Sequence, residues 1–165
     1  MRRIRLGAGS ALLAGTLAVG GLALAPTAAA VTPDVATINA TCTIGGSGVA
    51  TLTATQDGTS ATVTVTSATV TVTSEDITAP IALAEDSIQS TLTLVNASGG
   101  TVAFTGTENP ALAAGDGVQV GPLTGTVAPG DSLDAFGGSL QMVIFGFPVT
   151  CTAGAAQSPG PFVFD

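Results

Sequence analysis

Residues 48–67 have the sequence GVATLTATQDGTSATVTVTS and alternate small aliphatic residues with threonine on both sides of Asp57 and Gly58. A period of two is typical of a half-buried strand, and Asp-Gly suits a two-residue type I′ hairpin turn. The predicted pairs are Ala50 with Val65, Leu52 with Val63, Ala54 with Ala61, Thr51 with Thr64, and Thr53 with Thr62. The stretch therefore predicts an antiparallel sheet with one aliphatic face and one threonine face.

Beyond Ser67 the apolar positions change phase. They are odd at Val63 and Val65 and even at Val70 and Val72. A β-bulge, or a bend that passes the strand from one sheet to another, would produce this change.

The rest of the chain also favours strands, and no stretch shows a helical period. Strands are predicted near residues 35–43, 88–95 and 101–105, with a loop at 96–100 and one or two strands within 118–127. Residues 108–117 are predicted to form a long connection with one helical turn. The apolar run 140–152 is typical of a central strand buried on both faces. About seven to nine short strands favour a two-sheet β-sandwich.

Residues 1–30 are predicted to be a secretory signal peptide. Arg2, Arg3 and Arg5 form a basic start, residues 6–24 carry no charge, and small residues lead up to a cleavage site after Ala30. A retained membrane anchor and a twin-arginine route are the alternatives. Cleavage would leave residues 31–165 as a single secreted β-sandwich domain.

The charge distribution limits the partners of this domain. The chain has 3 basic residues and 11 acidic residues, and all the basic ones lie in the predicted signal peptide. Residues 31–165 therefore contain no Lys, Arg or His. Nucleic acid and anionic membrane surfaces attract proteins through cationic side chains, so the composition excludes both as partners.

The same deficit argues against catalysis. A nucleophilic Ser or Cys requires a nearby base, which is normally His or Lys. Histidine metal sites and Schiff-base lysines are excluded in the same way. We therefore expect a protein that is not an enzyme and has no cofactor.

The two cysteines, Cys42 and Cys151, are predicted to form a disulfide, because export would place them in an oxidising compartment. The bond would close a loop of about 110 residues. The chain-entropy model assigns such a loop about 4–5 kcal/mol of stabilisation.

Carboxylates are the remaining candidates for chemistry. Asp116, Asp131 and Asp134 are candidate calcium ligands, because Ca²⁺ prefers oxygen donors. Asp also favours turns through local hydrogen bonds, which is the alternative interpretation. The adjacent pairs at residues 75–76 and 85–86 are interpreted as solvated loop charge, with general acid and base roles as the alternative.

Threonine and phenylalanine provide two further patterns. Threonine recurs at every second residue in three rows, at 51–55, 62–66 and 69–73. Such rows resemble ice-binding arrays, although threonine is also common on exposed strand faces. Phe162 and Phe164 are predicted to lie in a last edge strand or in an exposed apolar peptide that docks on a partner.

The sequences Thr41-Cys42-Thr43 and Val149-Thr150-Cys151, with strands rich in Thr, Val, Ala and Gly, resemble secreted actinobacterial β-sandwich domains bracketed by two cysteines. Those domains have no known function. The resemblance implies an immunoglobulin-like sandwich and an extracellular or cell-envelope location, and it assigns no functional residue.

These observations predict a non-catalytic structural or interaction module that binds an unknown protein or envelope polymer. The first alternative is a calcium-dependent domain that binds glycans or surface polymers. The second is a hydrolase that uses carboxylates only.

Overall fold

The computed structural model describes residues 31–57 and 66–165. These residues form the strands β1 (Val35–Cys42), β2 (Ser47–Asp57), β3 (Thr66–Thr78), β4 (Gln89–Asn96), β5 (Thr101–Gly106), β6 (Gly117–Val127), β7 (Ser132–Ile144), β8 (Phe147–Ala153) and β9 (Phe162–Val163). Within these two ranges, no helix is long and apolar enough to cross a membrane.

The first eight strands close into an antiparallel β-barrel. Around the barrel their order is β1-β2-β3-β6-β5-β4-β7-β8, and β8 pairs again with β1. The run β7-β4-β5-β6 is a Greek key, because β7 follows β6 in sequence but lies beside β4 rather than beside β6. The short strand β9 pairs with the beginning of β7.

The predicted two-sheet immunoglobulin-like sandwich is therefore wrong. Each sheet of a sandwich has two edge strands, whereas here β4 pairs with β5 on one side and with β7 on the other. Closure removes the unpaired edges that otherwise invite association. The alternating pattern gives each strand one buried face in either architecture, so it does not reveal whether the sheet closes.

Strands β2 and β3 are neighbours, as predicted, but their predicted register and two-residue turn are wrong. The observed pairs include Thr51 with Thr73, Leu52 with Val72, Thr53 with Thr71 and Ala54 with Val70. The pentapeptide Thr-Val-Thr-Val-Thr occurs twice, at residues 62–66 and 69–73. The prediction paired β2 with the first copy, whereas in the fold β2 pairs with the second. A repeated alternating pattern specifies the pairing register only weakly, so either copy could be chosen from sequence. Gly58 of the predicted turn lies outside the described residues.

The bulge or bend predicted beyond Ser67 stays a prediction, because Val63 and Val65, which set the earlier phase, lie outside the described residues. Ala68, Val70, Val72 and Ser74 are all buried, so β3 keeps one phase from residue 68 to residue 74, and the phase changes before the buried Ile77. The pairing of β3 with β6 shifts register twice, first between Val70 and Val72 and again between Thr73 and Thr78. At the first shift, Gly121 and Pro122 of β6 both lie opposite Thr71 of β3, as in a β-bulge.

The apolar run 140–152 is a hairpin rather than one strand buried on both faces. Strands β7 and β8 pair from Leu140 with Cys151 to Ile144 with Phe147. Phe145 and Gly146 form the turn with φ angles of 50° and 82°. Positive φ at both turn residues matches the twist of a two-residue hairpin. The run is continuous in sequence because its exposed turn is also apolar.

The strand predictions near 35–43, 88–95 and 101–105 are confirmed, and residues 117–127 form the single strand β6. The loop at 96–100 is also confirmed, with Asn96 Oδ1 accepting hydrogen bonds from the amides of Ser98 and Gly100. The helical turn predicted within 108–117 is absent. An isolated bridge joins Leu112 to Leu83 instead, in the β3–β4 connection.

Segment 157–165 fills a gap in the barrel wall. Beyond the pairing of β8 with β1, Ser158 bridges to Thr37 of β1, and Val163 pairs with both Thr32 and Ser132. Phe162 and Phe164 are fully buried, and the ring of Phe164 lies 6.3 Å from that of Phe104. The predicted last strand is confirmed, although Val163 has a pairing partner on each side rather than lying at an edge, and the alternative of an exposed apolar peptide is wrong.

The predicted disulfide between Cys42 and Cys151 is confirmed. The two residues are direct partners in the pairing of β1 with β8. The bond therefore links covalently the two strands that complete the ring. A disulfide is compatible with an oxidising, extracellular location.

Candidate functional site

An apolar depression lies at the end of the barrel where the β7–β8 hairpin meets the β1–β2 turn and the β3–β4 connection. We call it the apolar mouth, and its volume is about 200 Å³. It is lined by Ile44, Gly45, Ile77, Thr78, Ala79, Pro80, Ile81, Leu83, Val118, Met142, Ile144, Phe145, Phe147 and Val149.

The rim of the apolar mouth consists of large side chains that are open to solvent. Phe145 and Phe147 are 65% and 69% exposed, and Ile44 and Ile81 are each about half exposed. Their neighbours Ile77, Leu83 and Met142 are buried and form the floor. A contiguous exposed apolar patch on a folded domain is typical of an interaction site, whereas single exposed apolar residues are not informative.

The local sequence explains how the rim is held. Gly45 and Gly46 adopt φ angles of 95° and 98° in the β1–β2 turn, a conformation that glycine accepts without strain. The carbonyl of Gly45 accepts a hydrogen bond from the amide of Thr78, at 3.3 Å. On the other side, the amide of Ala79 donates to the carbonyl of Asp116 at 2.8 Å. The β3–β4 connection is thus anchored to two neighbouring segments.

Phe145 is held in an unusual backbone conformation. Its φ of 50° lies in the left-handed region, which costs a residue with a Cβ about 1–2 kcal/mol. Because its side chain is also largely exposed, packing does little to offset that cost. A strained residue with an exposed aromatic ring is a reason to look for function at that position.

The chemistry of the apolar mouth is uniform. None of its lining side chains is charged, and Thr78 is the only lining residue with a polar side chain. Small-molecule sites normally add a few placed polar groups that orient the ligand. The apolar mouth therefore suits an apolar side chain of a binding partner, with the partner oriented by contacts outside the mouth.

A smaller chamber lies behind the apolar mouth, inside the barrel. Its volume is about 30 Å³, and it shares Ile77, Val118 and Met142 with the mouth. Small residues provide much of the remaining wall, among them Ala40, Ala50, Ala135, Ala153, Ser74 and Ser139. The chamber is about the size of one methyl group or one water molecule, so the barrel interior is essentially filled by its own side chains.

The three candidate calcium ligands all accept hydrogen bonds from backbone amides. Asp116 Oδ2 accepts from Ala113, and Asp131 Oδ2 accepts from Ala128, each at 2.7 Å. Asp134 Oδ1 accepts from the amides of Phe136 and Gln157.

These contacts are the local ones that Asp commonly makes in turns. In residues 31–57 and 66–165, no three His, Cys, Asp or Glu side chains group together as a metal site. The calcium-dependent function stays a prediction.

The two adjacent acidic pairs lie in different surroundings. Asp76 Oδ2 accepts a hydrogen bond from the amide of Val49 at 2.8 Å, and with Glu75 it lines a polar depression on the β2–β3 surface. Glu85 and Asp86 are exposed in the β3–β4 connection. All four carboxylates are on the surface, so general acid and base roles at these pairs stay a prediction.

Two of the three threonine rows lie side by side on the outer face of β2 and β3. Thr51, Thr53 and Thr55 pair with Thr73, Thr71 and Thr69 in that order. The hydroxyls of Thr55 and Thr69 are 2.7 Å apart. Of the third row, Thr62 and Thr64 lie outside the described residues. The ice-binding hypothesis stays a prediction.

Sequence reasoning missed the hairpin turn as a site. It assigned Phe162 and Phe164 to an edge strand or an exposed apolar peptide, whereas the two most exposed phenylalanine rings belong to Phe145 and Phe147. A signal was present, because Phe-Gly-Phe-Pro at residues 145–148 combines the two residues that most often interrupt strands.

No family model, no curated protein and no solved structure matches this chain. The resemblance to secreted actinobacterial domains stays a prediction, but the sandwich fold that it implied is wrong.

Proposed function

We propose that this protein is a non-catalytic interaction module of the extracellular space or cell envelope, and that it binds a partner protein at the apolar mouth. The observation that carries the proposal is the convergence of four exposed apolar side chains on one cavity with no charged lining residue. The partner would insert one aromatic or aliphatic side chain.

The size of the cavity supports this kind of ligand. An engineered apolar cavity of about 150 Å³ accommodates benzene, and the apolar mouth has about 200 Å³. Whole small-molecule ligands usually occupy about 300–1,000 Å³. Burying one aromatic or aliphatic side chain contributes about 1.5–3 kcal/mol, which is the contribution expected of a central anchor in a protein interface.

The absence of turnover is supported by composition. From residue 31 onward the sequence has no Lys, Arg or His. The chain therefore offers no nitrogen base to activate a nucleophile. The extracellular or envelope location is supported by the predicted signal peptide and by the disulfide.

Nuclear magnetic resonance with toluene and N-acetyl-phenylalaninamide as probes tests the proposal. We expect saturable amide shifts confined to Ile44, Ile81 and the turn at residues 144–147, with dissociation constants of about 1 mM. The variant Phe147→Ser should abolish them. Phe136→Ser is the matched control, because Phe136 is 52% exposed but does not line the mouth. Shifts that are absent, or that Phe136→Ser removes as well, would overturn the proposal.

A further inference from the structure

We infer that the partner segment is cationic, an inference that rests on the proposed function. An aromatic or large aliphatic side chain of the partner enters the apolar mouth, and Lys or Arg residues flank it. Carboxylates in the segments that line the mouth attract these flanking charges.

The same segments that build the apolar mouth carry carboxylates. Glu75 and Asp76 directly precede Ile77, which forms part of the floor. Glu85 and Asp86 follow Leu83 in the β3–β4 connection. Asp116 immediately precedes β6, and its carbonyl accepts the amide of Ala79, another lining residue. All five carboxylates are exposed.

No positive side chain offsets these charges within the domain. Residues 31–165 include no Lys, Arg or His. Every charged side chain of residues 31–165 is therefore negative, and such a charge distribution favours positive partners while opposing acidic ones. The apolar lining binds one apolar side chain, and the negative charge of the domain favours segments in which that side chain is flanked by Lys or Arg.

The charge also argues against a second copy of this chain as the occupant. Two copies docking mouth to mouth would bring two sets of carboxylates together, and like charges across an interface disfavour association. A cationic segment avoids this repulsion, because its Lys or Arg side chains are attracted by the carboxylates of the domain.

Fluorescence anisotropy with labelled peptides tests the inference. The first peptide has one Phe with two Lys on each side, the second replaces every Lys with Glu, and the third replaces Phe with Ala. At about 20 mM salt we expect the first to bind at least about tenfold more tightly than either of the others. Raising the salt to about 500 mM should remove most of the advantage over the Glu peptide, because screening shortens the range of charge interactions.

Matched variants locate the effect. Glu75→Gln with Glu85→Gln removes two charges from the segments that line the mouth, and we expect it to weaken the Lys-flanked peptide about threefold to tenfold. Asp34→Asn with Asp131→Asn removes two charges in segments that do not line the mouth and should change binding less than twofold. Thermal melts of both double variants confirm that each is folded.

The outcomes separate this inference from the function on which it rests. Equal binding of the Lys-flanked and Glu-flanked peptides, abolished by Phe147→Ser, would overturn the cationic partner and leave the docking site standing. No binding of any Phe peptide would overturn both. Concentration-dependent dimerisation through the mouth, seen by analytical ultracentrifugation, would assign it to a second copy. Binding to phosphatidylcholine vesicles that competes with the peptide would assign it to a lipid surface.

Discussion

Gln56 and Asp165 exchange hydrogen bonds across the end of the barrel. The side-chain amide of Gln56 donates to the carbonyl of Asp165, and the amide of Asp165 donates to Gln56 Oε1 at 3.0 Å. This reciprocal contact fastens segment 157–165 to β2. It keeps the neighbouring Phe164 in the interior, where its ring lies 6.5 Å from that of Phe162.

We expect Phe164→Ala to destabilise the protein by about 3–5 kcal/mol, because it removes a fully buried ring and leaves a cavity. Urea unfolding followed by circular dichroism measures the change. Phe136→Ala is the control and should cost less than about 1 kcal/mol, since Phe136 is half exposed. Similar values for the two variants would contradict the buried position of Phe164.

Removing the disulfide should destabilise the barrel by about 2–5 kcal/mol, because Cys42 and Cys151 join the strands that complete the ring and are 109 residues apart. The double variant Cys42→Ser with Cys151→Ser is compared with the oxidised protein by denaturant unfolding. Reducing the unaltered protein should reproduce the loss. A change below about 1 kcal/mol would mean that the strand pairing alone keeps the ring closed.

Phe145→Asn should stabilise the protein and weaken binding at the apolar mouth. Asn adopts the left-handed conformation more easily than Phe, so relief of the strain should contribute about 0.5–1 kcal/mol in chemical denaturation. The same variant should lower the affinity for the Phe-containing peptide several-fold. Destabilisation instead would show that the exposed ring packs more strongly than its exposure indicates.

Gly125→Ala tests the close approach of β6 to an aromatic ring. A Cβ at this position would lie 2.5 Å from Cδ1 of Phe104. Because Phe104 is fully buried and cannot move away freely, we expect a loss of about 1–3 kcal/mol. Gly160→Ala is the matched control, since a Cβ there meets no atom within 4 Å. Melting temperatures of the two variants should differ by several degrees.

Calcium should not change the stability of the protein. Asp116, Asp131 and Asp134 each accept hydrogen bonds from backbone amides of their own turns or of a neighbouring segment. We expect the same melting temperature in excess EDTA and in millimolar calcium, measured by differential scanning calorimetry. A rise of several degrees with calcium would restore the calcium-dependent alternative, and Asp131→Asn would then test the ligand assignment.

The sequence predicts the strands well because their alternation is local. Leu52 and Ala54 point inward and Thr51 and Thr53 outward whichever strand lies beside them. Closure is decided by distant pairs, such as Leu92 with Leu140, and a period of two contains no information about them. The β2–β3 register failed for a different reason, because two identical pentapeptides match the same partner strand equally well.

The candidate site was harder to predict than the fold. Phe145 lies in an apolar run that is typical of a buried strand, and a phenylalanine is an unexpected residue at positive φ. Only the hairpin geometry turns its ring toward Ile44 and Ile81, which are about 100 and 64 residues away in sequence. The acidic pairs at residues 75–76 and 85–86 are exposed, as expected, but Glu75 and Asp76 lie in strand β3 rather than in a loop.

The wall between β1 and β7 includes residues 158–163, so the order of synthesis constrains the order of folding. Every strand from β1 to β8 emerges from the ribosome before the piece that seals the gap between them. Contacts between such distant parts of a chain form slowly, so we expect the wall between β1 and β7 to be completed only after residues 158–163 have been made. The chain is predicted to cross a membrane through a secretion channel. Late completion of the barrel wall would keep it incompletely folded, which is the state that such a channel transports.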